Sequence, residues 1–226
     1  MRAAFLMLMA AIAFPLTGQA QDGSSPTTLS ATAFQSPDPF ALDEDYAAAH
    51  GIPILAPVDL LLPNHPNLAV RTVSDPDRAE VLIVEFSRIG DGGELTFLEN
   101  MQITDGFVPM HEDADDPVAT RALAAAEVLE MQFYPIWADL FPDTEVLEFN
   151  RVDLGNAAAA VHLLLAYRDP RHDANMLTRA VLLAHPTQAE SYLVTINIDR
   201  DRVRVTDPVT LAATITGQIL NTWSYR

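Results

Sequence analysis

Two stretches of this chain are apolar on both of their alternating faces, and nothing else in the sequence constrains the fold as strongly. Residues 157–167 (AAAAVHLLLAY) and 176–183 (MLTRAVLL) carry apolar side chains at odd and even positions alike. A β-strand sends successive side chains to opposite faces of its sheet, so such strands belong mid-sheet with both faces covered. Neighbours are at hand on either side. Residues 146–154 meet 157–167 at Gly155-Asn156, a two-residue hairpin signal, and 192–198 follow 176–184 across His185-Pro186-Thr187-Gln188. In the last of these, Tyr192, Val194, Ile196 and Ile198 alternate with Leu193, Thr195, Asn197 and Asp199. The four runs predict an antiparallel meander whose central members are sandwiched.

Covers for such a sheet can be read from the helical spacings. Asp115-Asp116-Pro117 has the chemistry of a helix start, with acids at the positive end of the dipole and a proline suited to the first turn. Ala122, Ala126, Leu129, Phe133, Ile136, Trp137 and Leu140 then recur at steps of three and four. This predicts an amphipathic helix to residue 140, kinked or divided at Pro135. Thr206-Asp207-Pro208 opens a second, with Ala212, Ile215, Ile219 and Trp223 as its buried stripe. Upstream, 80–89 and 94–103 flank Gly90-Asp91-Gly92-Gly93 and predict a hairpin. Pro53, Pro57, Pro63 and Pro66 rule out a long helix between residues 51 and 68 and favour chain laid across the domain. The expected class is α+β, an α/β/α sandwich around an antiparallel sheet: hairpin, helix, four-strand meander, closing helix.

Core material suffices, since 49% of the 226 residues are hydrophobic. Before the domain, Ala3 to Phe14 is an apolar run behind Arg2, too short to span a membrane and broken by Pro15. Gly18 and Ala20 then suit a cleavage site, so residues 1–20 read as a secretory signal peptide. Residues 21–45, with Ser, Thr and Pro in excess over residues 21–40, read as a flexible leader, and residues 46–226 as one domain. The product is expected in the periplasm or the medium.

Charge and composition remove several classes of function. The formal charge is −18, with no lysine and no cysteine. Residues 21–150 hold twenty-four acids against four arginines, whereas 151–226 hold seven acids against eight. A nucleic-acid binder needs a basic face, which this balance does not supply. Thiolate catalysis and thiolate metal sites fall with the missing cysteine. Neither a G-x-S-x-G elbow nor a glycine-rich phosphate loop occurs. No catalytic residue and no cofactor is expected.

Three constellations stand out. His111, Glu112, Asp113 and Asp115 could offer oxygen ligands to a divalent cation, although the run lacks the alternation and glycine of a calcium loop and its last acids suit a helix start. His162, Arg179 and Asn197 sit on successive strands and would form a polar spot on one sheet face if the register aligned them. Arg200, Arg202 and Arg204 would point to one side of an extended chain, there to grip a carboxylate-rich partner or to offset the acids of the first part. His50, His65, His172 and His185 fall in loops or turns, with solvent the expected neighbour. Phe133, Tyr134, Trp137, Trp223 and Tyr225 read as core.

The segments RVDLGNAAAAVHLLLAYRD, ESYLVTINIDRD and PVTLAATITGQILNTWSY, in this order behind a signal peptide, resemble the PsbP-like superfamily over roughly residues 68–226. Members include the photosystem II extrinsic subunit, a nuclear Ran-binding factor and small exported bacterial proteins. The resemblance implies an α/β/α sandwich that acts as a binding or assembly accessory, and it assigns no residue a role. The proline-rich entry departs from the pattern. The expectation is an exported, non-enzymatic adaptor working by protein–protein contact in the envelope, with a periplasmic small-molecule or divalent-cation binder as the alternative. A protein partner, no nucleic acid, no membrane insertion after signal cleavage and a monomeric state complete it.

Overall fold

In the computed structural model, which describes residues 26–75, 77, 80–110, 113–171 and 173–226, the chain begins with α1 (Pro26–Ala33), β1 (Asp38–Leu42), α2 (Glu44–His50) and β2 (Val58–Leu62). There follow β3 (Leu68–Val73), β4 (Glu80–Ile89), β5 (Leu95–Phe107), α3 (Pro117–Val128), a π-turn (Leu129–Phe133) and α4 (Tyr134–Leu140). The meander is β6 (Glu145–Val152), β7 (Ala159–Asp169), β8 (Ala174–Ala184) and β9 (Glu190–Asp199), and α5 (Pro208–Ala212), α6 (Ile215–Asn221) and β10 (Ser224–Tyr225) close the chain. Seven strands form one sheet in the order β3-β4-β5-β9-β8-β7-β6, and β1-β2-β10 form a small second sheet. Every pairing is antiparallel. The signal-peptide stretch lies outside the described residues.

The two-faced apolar strands take the place their pattern demands. On one face Val161, Leu163 and Leu165 of β7 and Ala180, Leu182 and Ala184 of β8 pack with Ala122, Ala125, Leu129, Phe133 and Trp137. Alanines on both sides of this contact let α3 lie close to the sheet. Pro135 falls in the first turn of α4, directly behind the π-turn, so the helix passes the proline at a local change of hydrogen-bond register. Phe133, Trp137 and Phe141 then stack with neighbouring centroids 5.4 and 5.3 Å apart.

The opposite face packs Leu164, Leu177, Val181, Val194 and Ile196 against Ile215, Ile219, Leu220 and Trp223, and also against Leu29, Leu42, Val58 and Leu60. The second cover is therefore α6 together with α1 and the small sheet. The rod expected over 208–225 is two short helices: Ala213 ends α5, Thr214 caps α6, and Ser224–Tyr225 pairs with β2 instead of continuing the helix. Likewise residues 26–42, expected within a flexible leader, hold α1 and β1, with Leu29, Ala33 and Leu42 buried. Few as they are, those apolar side chains anchor the segment because the sheet face would otherwise lie open.

A buried carboxylate docks α6. Glu99 of β5 is 1% exposed and accepts from the Ile215 and Thr216 amides at 3.1 and 3.0 Å and from the Thr216 hydroxyl at 2.6 Å. The next amide, Gly217, donates to Thr214 Oγ1 at 3.0 Å, so the first three donors of the helix are all satisfied. Burial pushes the Glu99 carboxyl up, and the Thr216 and Ile215 donors pull it back. Gly217 admits no side chain: a Cβ there would lie 2.3 Å from the Leu211 carbonyl oxygen.

Candidate functional site

The register decides which predicted site residues meet. Arg179 pairs across with Leu164 and Ile196, and His162 with Val181, so the two are diagonal neighbours on the face that carries Val181 and Leu164. Arg179 Nε donates to His162 Nδ1 at 3.1 Å. The imidazole proton therefore sits on Nε2, which faces Glu148 Oε1 of β6 at 3.3 Å. That contact is electrostatic, since Nε2 lacks an aligned hydrogen-bond partner. Burial, then the Arg179 charge, push the His162 pKa down and keep the ring neutral. Burial pushes Arg179 down to about 10. Glu148 is held low, first by the Asn150 amide, which donates to it at 2.8 Å.

Asn197 does not join them. It pairs with Thr178, one position out of phase with Arg179, and so lies on the face covered by α3. There it accepts from Thr178 Oγ1 at 2.6 Å and donates to Asn100 at 2.9 Å. The expected three-residue spot thus divides into two polar rows, one on each side of the sheet. Glu148, which completes the first row, carried no mark in the sequence beyond its place in a strand.

The arginine run also departs from expectation. Behind β9 the chain turns, with the Val203 amide bonded to the Asp199 carbonyl at 2.7 Å, so the three side chains do not share one side. Arg202 pairs with Asp199 at 2.8 Å, while Arg200 and Arg204 are exposed. In the acidic run, Asp116 caps α3 by accepting from the Ala119 amide at 2.9 Å. Among the described residues, Asp113 and Asp115 included, no group of three or more His, Asp or Glu could hold a metal ion. His111 and Glu112 lie outside the described residues, as does His172.

His185, expected in solvent, is buried. Its ring meets Tyr225 edge-on at 4.6 Å, and its carbonyl accepts from Arg121, a buried α3 guanidinium that also reaches the Gln188 carbonyl at 2.9 Å. Proline and turn residues around His185 suggested a surface loop, and only Arg121, an isolated cation on an alanine-rich helix, hinted that the loop is tied down.

What remains accessible is the sheet's outer edge. Strand β6 is terminal, with β7 on one side and, among the described residues, no strand on the other. Glu145, Glu148, Asn150 and Val152 pair with β7 residues of the small-sheet face, whereas Val146, Phe149 and Arg151 pair with residues of the helix face. A bulge falls between Val146 and Glu148. Val146, Leu147 and Phe149 are 45, 44 and 37% exposed, and Ile136 and Leu140 of α4, the helix covering that face, are exposed as well. The far edge, β3, has no large apolar side chain so exposed. Charges at both parities of 145–152 are the sequence sign of an edge, whereas β7 carries no Asp, Glu or Arg before Arg168.

No family model matches the chain, and no curated protein matches it. Among solved structures, a Bacteroides thetaiotaomicron protein is 10% identical with a TM-score of 0.41; the match covers 75% of this chain and only 45% of that one. LpqN of Mycobacterium tuberculosis, involved in cell envelope biogenesis, is 13% identical over 86% of this chain and 94% of its own, with a TM-score of 0.44. The Saccharomyces cerevisiae Ran-binding protein Mog1p is 10% identical over 84% and 96%, with a TM-score of 0.40. These likenesses are distant and carry no function across.

Proposed function

We propose that this chain is an exported, non-enzymatic binding protein that recruits a protein partner to the open edge of its sheet. One observation carries the reading: among the described residues no strand pairs with the outer side of β6, and Val146, Leu147 and Phe149 stand exposed beside it. Soluble proteins ordinarily shield such an edge, and strand addition is a common use for one that stays open. Three of the polar groups in the candidate clusters help to hold the fold. His162 lies between Arg179 and Glu148, Asp116 caps a helix, and Arg202 pairs with Asp199. Export rests on residues 1–20, and N-terminal sequencing of the mature protein should begin at Gln21.

Affinity capture from an envelope fraction, with wild type beside a Val146→Lys/Phe149→Lys double variant, tests the reading. A partner enriched by wild type and lost with the variant supports it. An identical set of proteins on both, or none on either, refutes it.

A further inference from the structure

Resting on that reading, we infer that the occupant of the β6 edge is a basic extended segment, one that alternates Lys or Arg with apolar side chains. A strand laid beside β6 alternates its side chains between the same two faces. On the small-sheet face it would meet Glu145 and Glu148, and on the helix face Val146 and Phe149. Cations suit the first row and apolar groups the second.

The surroundings strengthen the charge requirement. Asp139, Asp143 and Asp153 flank the strand, Arg151 is its one cation, and the chain as a whole is at −18. The same net charge works against a second copy as the occupant. The row Arg179–His162–Glu148 adds direction. It crosses β8, β7 and β6 and ends on a carboxylate held in its charged form at the outer strand.

The test uses the whole purified chain and a fluorescent peptide of about eight residues alternating lysine and valine, a length that matches β6. Two controls accompany it: a peptide alternating glutamate and valine, and one of the same lysines and valines in two blocks. The expected result is saturable binding of the alternating lysine peptide, weakening as salt rises from ~0.05 to ~0.5 M. Phe149→Lys and Glu145→Lys, both at exposed positions, should each weaken it at least about tenfold. Hydrogen exchange across residues 145–152 should slow on binding. Failure to bind, equal binding of the glutamate or block peptide, indifference to both variants, or unchanged exchange in β6 would each overturn the inference. A β6-dependent dimer in sedimentation would overturn it too. A natural partner captured through β6 that proved acidic or helical would end this inference while leaving the proposed function standing. Capture that never depended on β6 would end both.

Discussion

Replacing Glu99 with alanine tests how the second face of the sheet is held. The side chain is 1% exposed and receives two amides and one hydroxyl from the start of α6. Its removal leaves three buried donors without an acceptor, at about 1–3 kcal/mol each. Relief of the burial that raises the Glu99 pKa, and water entering the gap, offset part of this. The expected loss for Glu99→Ala is about 3–5 kcal/mol, a large share of the ~5–15 kcal/mol typical of a domain. Glu99→Gln keeps one of the two acceptor oxygens, so its cost should be smaller, about 1–3 kcal/mol.

Urea unfolding at neutral pH reads the difference. Trp223, buried just beyond α6, supplies a fluorescence probe of that layer beside far-UV circular dichroism. The pH dependence adds a check of sign. With its folded pKa above the unfolded 4.5, Glu99 holds, between those two values, a proton that the unfolded chain has released. Its contribution is therefore full below 4.5 and declines as pH rises through the folded value, and Glu99→Gln should remove that decline. An alanine variant within about 1 kcal/mol of wild type, or a glutamine variant as costly as alanine, would refute the docking argument.

Three further outcomes are expected. Because the folded His162 pKa is depressed, its contribution is present above 6.5 and lost as pH falls through the folded value, so the stability gap between wild type and His162→Gln should narrow between about pH 7 and 5; parallel curves would contradict this. Gly217→Ala should cost about 2–3 kcal/mol in urea unfolding, since the new methyl would press on the Leu211 carbonyl oxygen, and an unchanged midpoint would show that α5 and α6 can separate freely. Turbidity should peak near the isoelectric point of about 4.4, where the net charge that disperses the molecule vanishes; a flat trace across pH 4–5 would be inconsistent with that.

Much of the fold was legible because its rules are local. Double-faced apolarity placed β7 and β8 mid-sheet, glycine turns marked the hairpins, and the stripe through Trp137 named a cover. The rest depended on long-range register. Whether Asn197 or Glu148 would stand with His162 turned on a single residue of phase between β8 and β9 and on which strand lies outside β7, and neither is written in any one segment. The leader misled for a related reason: Leu29, Ala33 and Leu42 are too few to fold alone, yet they are enough to dock on a face already formed. The edge character of β6 could have been read from Glu145, Glu148 and Arg151 standing among its apolar residues.

The middle of the large sheet is the β5–β9 pair, where Asn100 stands beside Asn197. Each half of the sheet, β3 to β5 and β6 to β9, is a run of neighbours in sequence and can assemble by itself. Their union closes a loop of nearly a hundred residues, so it should be the slow event in folding. Until it happens both halves present a raw border of Met101, Ile103, Val194 and Ile196, and the hazard of clumping belongs to that interval rather than to the finished molecule.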